Sequence, residues 1–169
     1  MRILTTRFGE QDVEESKIIS IVDGLVGFGE DRYILLHPDN GPFSWLQAVD
    51  NPDLAFVVVD PTQFVPDYKV KLTRDEFDRL KIGDKDEVVL LSVVTMARDP
   101  RQITMNLQGP IVINPSQMVA KQIVLETVQA ATRYPIFANP KPAPEFATQS
   151  AVSMVSSLFQ NIGLSLAAA

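Results

Sequence analysis

Four aspartates, Asp50, Asp53, Asp60 and Asp67, and the single histidine, His37, are the residues whose types could support catalysis. A pair of carboxylates can serve as acid and base or hold a hard cation, and an imidazole exchanges its proton near neutral pH. Their surroundings favour a structural use. His37 stands before Pro38 in a turn that ends a strand, and Asp50-Asn51-Pro52-Asp53 and Asp60-Pro61 combine residues that bond their own backbone with proline, which pre-sets φ. The carboxylate spacing matches no cation-binding loop. With no cysteine, thiolate metal sites, thiol nucleophiles and disulfides are all removed. One histidine cannot form a His-Glu-x-x-His pair, and there is no Gly-x-Ser-x-Gly elbow. A small hydrolase or carboxylate-metal enzyme built on Asp50, Asp53, Asp60 and His37 remains as the enzymatic alternative. The sequence calls for no cofactor.

Gly24-Leu25-Val26-Gly27-Phe28-Gly29 has the glycine density of a phosphate-cradling loop but not its chemistry. Apolar Leu25, Val26 and Phe28 intervene, acidic Glu30-Asp31 follows, and the Lys-Ser/Thr of a P-loop is missing. A glycine-rich bend with Phe28 packed inward is the simpler reading. Phe64-Val65-Pro66-Asp67-Tyr68 sets aromatics around a proline-shaped turn, as either core plugs or anchors for a partner.

These residues are positioned by strands. Aromatic and β-branched runs flank Asp50-Asn51-Pro52-Asp53, so Ser44 to Pro61 reads as a hairpin at the centre of a sheet. Further strands are expected at Arg32–Leu36, Trp45–Val49, Leu54–Val59, Val70–Leu72, Val88–Thr95, Ile111–Asn114 and Ile123–Glu126. The unbroken run from Val88 to Val94 predicts a strand buried on both faces. One helix start is explicit: Thr73-Arg74-Asp75-Glu76 fits a capping box, with Phe77 and Leu80 on one face and Gly83 as the stop. No strand-helix alternation supports a doubly wound fold. The fold class predicted is mainly β, an antiparallel barrel-like or sandwich domain with one short helix, spanning residues 1–138.

Beyond it the character changes. Asn139-Pro140-Lys141-Pro142-Ala143-Pro144-Glu145 places proline at every second position, an extended semi-rigid spacer over 139–147. Residues 148–169 then carry Ala151, Val152, Val155, Leu158, Phe159, Ile162 and Leu166 three or four apart, which predicts a C-terminal amphipathic helix interrupted at Gly163. It could dock on the barrel, on a second copy or on a partner, so an oligomerising module is a further alternative.

The net charge of −6 is unevenly spread. From Met1 to Glu87 there are 18 acidic and 10 basic residues, against 2 and 4 from Val88 to Ala138. Such a first half repels nucleic-acid phosphates and steers a basic partner toward it. Neither a secretion signal nor an apolar run of membrane-spanning length is visible, so a soluble cytoplasmic protein is expected.

Between Ile3 and Ile136 the chain resembles the FliW family of bacterial flagellar assembly factors. The marks are Pro42-Phe43-Ser44-Trp45-Leu46-Gln47, the run from Asp50 to Pro61, Pro66-Asp67-Tyr68, Gly109-Pro110-Ile111-Val112-Ile113-Asn114 and Arg133-Tyr134-Pro135-Ile136. The Gly24–Phe28 loop departs from the family's pattern, with Val26 where proline is usual, and the tail has no family counterpart. The resemblance implies a β-barrel that binds flagellin and, once flagellin is exported, the homodimeric RNA-binding regulator CsrA, freeing flagellin messenger RNA for translation. On this reading the protein is not an enzyme and touches neither nucleic acid nor membrane. The contact residues expected from turns, exposed aromatics and acids are Asp50, Asn51, Asp53, Phe64, Pro66, Asp67 and Tyr68, together with Glu10, Asp12, Glu14 and Glu15.

Overall fold

The computed structural model describes residues 1–126 and 131–137. The proline-rich spacer expected at 139–147 and the helix expected at 148–169 lie outside the described residues. Among the described residues there are eleven strands: β1 (Arg2–Thr5), β2 (Gly9–Asp12), β3 (Ile19–Val22), β4 (Arg32–Leu36), β5 (Ser44–Ala48), β6 (Ala55–Val59), β7 (Val89–Thr95), β8 (Thr104–Met105), β9 (Ile111–Asn114), β10 (Val119–Gln122) and β11 (Tyr134–Pro135). The one α-helix among the described residues, α1 (Arg74–Arg79), precedes β7.

Seven of the strands close on themselves in the order β7-β6-β5-β4-β3-β10-β9, and β9 returns to pair with β7 through Val89–Ile113, Leu90–Val112 and Leu91–Ile111. The result is a barrel and not a sandwich. Closure removes the free edges that an open sheet would present. All of its pairings are antiparallel except β10 with β3, which is parallel. Alternation fills the inside with Ile19, Ile21, Tyr33, Leu35, Leu46, Ala48, Val58, Leu91, Ile111 and Ile113. A ring this small has room for its own side chains and little else.

The outward faces are also apolar, and three separate covers bury them. The β1–β2 hairpin lies over Ile34, Leu36 and Val49 with Ile3 and Val13. A flap made of β8 and β11 lies over Val57, Val59 and Val94 with Ile103, Met105 and Ile136. The segment around α1 seats Leu80 against Val112 and Ile123. Double-sided burial is why Val88 to Val94 reads as one continuous hydrophobic run.

The helix start is as expected. Thr73 Oγ1 accepts from the Glu76 N–H at 3.3 Å while the Glu76 carboxylate accepts from the Thr73 N–H at 2.6 Å. Its end differs: Lys81, with φ of +52°, makes the left-handed turn that Gly83 was expected to make. Leu80 is fully buried, whereas Phe77 is 42% exposed, so the two do not share a buried face. Val70–Leu72 is not a strand; without a neighbour to pair with, Val70 and Leu72 only pack on the Leu80 cluster. The last barrel strand is Val119–Gln122 instead of Ile123–Glu126, because its register is fixed by pairing with β9 and β3 on either side. Phe28 does not pack inward fully. It is 43% exposed and sets its ring edge on Phe56, with centroids 4.9 Å apart. Among the described residues no helix is long and apolar enough to cross a membrane.

Candidate functional site

The β5–β6 hairpin turns at Asp50-Asn51-Pro52-Asp53, and almost every polar group there has an assigned partner. Asn51 Oδ1 accepts from the Asp53 N–H at 3.2 Å, an Asx turn, and the Leu54 N–H returns to the Asn51 carbonyl at 3.2 Å. Asp50 takes a two-pronged contact from Arg32, whose hydrogen bonds hold the carboxyl below its usual range. Asn51 Nδ2 donates to Glu30 at 2.9 Å and depresses that carboxyl as well. Beneath the turn lies Gln47, fully buried on the outward face of β5. Its Nε2 donates toward the carbonyls of Ala48, Asn51, Pro52 and Leu54 at 3.0 to 3.3 Å, which leaves its Oε1 buried without a hydrogen-bond partner.

The tip of the β1–β2 hairpin comes down beside this turn. The Thr6 N–H donates to the Pro52 carbonyl at 3.0 Å, and the Thr6 hydroxyl donates to Asp53. Between the two hairpins opens a crevice of about 340 Å³, lined by Thr6, Arg7, Trp45, Gln47, Pro52 and Asp53, with Ala55. Trp45 floors it. The Arg7 guanidinium lies 4.1 Å above the Trp45 ring, a cation–π contact, and Phe8 meets the same ring edge-on at 5.7 Å. An aromatic floor, a cation and nearby carboxylates make a surface suited to a protein side chain.

The other expected contact residues divide into two groups. Glu10 and Asp12 are exposed on β2 and pair loosely with Arg2 at 3.7 and 3.2 Å. Glu14 and Glu15 are exposed at the 3-10 turn Glu15–Lys17 that follows. Thus one outer hairpin and its exit carry both a wall of the crevice and a run of acids. The Phe64–Tyr68 segment sits elsewhere, under the flap. Tyr68 is half-buried and donates to the Leu107 carbonyl at 2.6 Å, and burial pushes its hydroxyl up to about 12. Phe64 packs in the same cluster, while Pro66 and Asp67 are exposed. Phe64 and Phe43 each meet the ring of Phe137, at 6.0 and 6.2 Å, so three aromatics form a rim where the described chain ends.

The enzymatic alternative finds its residues dispersed into other work. Asp60 caps the turn Pro61–Gln63 by accepting from Thr62 N–H and hydroxyl, and burial raises its pKa. His37 Nδ1 lies 3.3 Å from the Ser44 hydroxyl. Among the described residues no group of three or more His, Cys, Asp or Glu is placed to hold a metal ion. Sequence reasoning missed Thr6, Arg7, Trp45, Gln47 and Ala55 as crevice residues. The available signal was Trp45 and Gln47 alternating with buried Leu46, which puts both on the outer face.

A closed seven-stranded barrel with outer covers, and a crevice between the β1–β2 hairpin and the β5–β6 turn of the ring, defines a small barrel protein organised around its surface. The chain belongs to the FliW family, whose model, described as FliW protein, matches residues 2–136. It is 59% identical over 138 residues to the flagellar assembly factor FliW of Geobacter sulfurreducens, covering 81% of this chain and 87% of that one. The corresponding protein of Geotalea uraniireducens is 53% identical over 138 residues, covering 81% and 85%. A crystal structure of the flagellar assembly factor FliW matches with a TM-score of 0.75 at 33% identity, covering 81% of this chain and 97% of that one.

Proposed function

We propose that the chain is a non-enzymatic flagellar assembly factor that works in the cytoplasm by partner switching. It binds flagellin; when flagellin has been exported, it binds CsrA and loosens that regulator's hold on flagellin messenger RNA. The switch requires only that two proteins compete for one limited binder. The observation that carries this reading is the outer hairpin Arg2–Asp12, which brings the crevice over Trp45 together with exposed Glu10 and Asp12 and leads into Glu14 and Glu15. Acids of this kind steer a basic RNA-binding partner, and an aromatic crevice supplies an anchor once it has arrived.

The test mixes the purified protein with CsrA and a labelled flagellin leader RNA, then adds flagellin. RNA should be released on mixing and recaptured by CsrA when flagellin is supplied. Replacing Glu10 and Asp12 with Lys should slow association with CsrA and reduce its salt dependence. Failure of the protein to bind either partner at micromolar concentration would overturn the reading.

A further inference from the structure

The β1–β2 hairpin is a sheet of two strands, so each strand has an outer edge, and among the described residues no third strand pairs with either. The register shows which main-chain groups line those edges. Met1 and Val13 exchange both of their bonds, at 2.8 and 2.9 Å, and antiparallel pairs alternate, so Ile3 with Gln11 and Thr5 with Gly9 do the same. Arg2, Leu4, Glu10 and Asp12 hold the intervening positions, with N–H and C=O turned outward. The β1 edge is already closed at one end, where the Thr6 N–H donates to the Pro52 carbonyl at 3.0 Å. The β2 edge is open, and no residue of Gly9–Asp12 is buried. Gln11 marks the place of the missing neighbour. Its Nε2 donates to the Glu10 carbonyl on that edge at 2.9 Å, and to the Phe8 carbonyl just before it at 2.8 Å, as the N–H groups of a third strand would.

Charge decides what can lie there. Two β2 edges brought together would set Glu10 of one molecule against Asp12 of the other, so a second copy is repelled. The same acids favour the opposite sign. Arg2 reaches them from the β1 side, at 3.7 Å for Glu10 and 3.2 Å for Asp12, and spreads one positive charge over two exposed carboxylates. Exposed Glu14 and Glu15 follow directly.

We propose that the outer edge of β2 binds a basic segment of a partner protein as an added antiparallel strand. Glu10 and Asp12 each exchange two main-chain bonds with the residue opposite, and the Gln11 amide gives way to a strand N–H. The two opposite residues lie two apart in the incoming segment, and their side chains share the face of the carboxylates, with α-carbons about 5.5 Å from those of Glu10 and Asp12. Lys or Arg at both positions therefore pairs with the acids, while the residue between turns to the face of Gln11. The main chain supplies the grip and the alternating charge the selectivity. As the means of holding a partner this rests on the partner-switching reading; the edge and its preference do not.

The probe is the end-capped, dye-labelled peptide Thr-Lys-Thr-Lys-Thr, titrated against the full chain at low salt by fluorescence anisotropy. Two N-methylated versions separate strand addition from charge attraction, since both keep every charge. Methylation at the two Lys removes the N–H groups that face β2 and should weaken binding about tenfold or more, whereas methylation at the Thr residues lies on the far side and should change it less than about twofold. With peptide bound, hydrogen exchange should slow at the Glu10 and Asp12 amides and not at Arg2 and Leu4. Glu10→Lys combined with Asp12→Lys should abolish binding while the barrel keeps its cooperative melt. Equal losses from the two methylation patterns would overturn the proposal and leave the acids as a guard against self-pairing. Protection at Arg2 and Leu4 instead, no binding at millimolar peptide, or Glu10 and Asp12 amides already protected by a second copy in the free chain would overturn it too. Neither CsrA nor flagellin is present, so failure here leaves partner switching untouched, and failure of the RNA-release test leaves the strand edge untouched.

Discussion

Replacing Gln47 by Glu should be among the most damaging single-atom changes available in this barrel. The side chain is fully buried and its Nε2 stands 3.0 to 3.3 Å from four carbonyl oxygens of the β5–β6 turn. Gln47→Glu exchanges that donor for an oxygen facing the same four acceptors. A buried carboxylate with no compensating donor costs about 3–5 kcal/mol. Spread over about 130 ordered residues, that loss lowers the melting temperature by roughly 10–18 °C. The sign with pH follows from linkage. Burial and the facing carbonyls raise the introduced carboxyl above its unfolded value, and its protonated form can still donate one hydrogen bond. The penalty is therefore small below the ordinary glutamate range, grows as pH rises through it, and is complete above the raised folded value. Gln47→Met separates charge from lost bonding: it forfeits about 1–3 kcal/mol from two donors but relieves the buried, unpaired Oε1, worth a similar amount. Urea unfolding of the three proteins from pH 4 to 8 is the assay. If Gln47→Glu matched the parent at pH 7, or if Gln47→Met proved worse than Gln47→Glu, the amide would not be the donor that holds this turn.

Tyr68→Phe removes the bond to Leu107 and should cost about 0.5–1.5 kcal/mol, whereas Tyr68→Ala also opens the flap core and should cost about 3–5 kcal/mol; thermal unfolding separates them, and equal small losses would return Tyr68 to the surface. Asp60→Asn keeps an acceptor for Thr62 but removes a carboxylate whose pKa burial raises. Because the raised group favours the fold at low pH and loses that contribution as pH rises through its folded value, the variant should gain on the parent in melting temperature at pH 7 and not at pH 3. Trp45 is the sole tryptophan, so its emission reports the crevice; a partner that fills it should shift the emission and lose affinity on Arg7→Ala, and an unchanged spectrum at saturation would place the contact elsewhere.

What could be read in advance was local. The hairpin around Asp50-Asn51-Pro52-Asp53, the capping box at Thr73 and the double-sided run of β7 each carry their reason in a few adjacent residues. The missed elements depend on partners far along the chain. β2 is Gly-Glu-Gln-Asp, with no apolar residue, and is a strand because β1 pairs with it. β10 lies four residues earlier than its apolar pattern suggests, since β9 and β3 together dictate its register. The left-handed Lys81 has no signature at all, because Gly83 two residues on looks the better stop. The site follows the same rule. Asp50, Asn51 and Asp53 were visible as a turn, but the hairpin tip that completes the crevice, Thr6 and Arg7, lies some forty residues away and carries no local mark. For Tyr68 a core plug is the favoured reading over an anchor, and its bond to the Leu107 carbonyl ties it to the flap.

The architecture explains why recognition should sit in the covers and not in the barrel. The interior is filled by side chains such as Tyr33, Leu46 and Ile111, and closure leaves the ring no edge to lend a partner. Whatever this molecule binds must therefore meet turns and outer segments. The β1–β2 hairpin is the exposed choice, because it is a two-stranded sheet of its own, held to the barrel by the Ile3 and Val13 cluster and by Thr6 on Pro52 and Asp53. Two strands alone are marginal in water, so the hairpin depends on these contacts for its seating. A ligand gripping Arg7 and Trp45 spans that seam. Its binding would be coupled to how firmly the hairpin is seated, and two partners competing across the seam could exclude one another without overlapping fully, each favouring its own hairpin position.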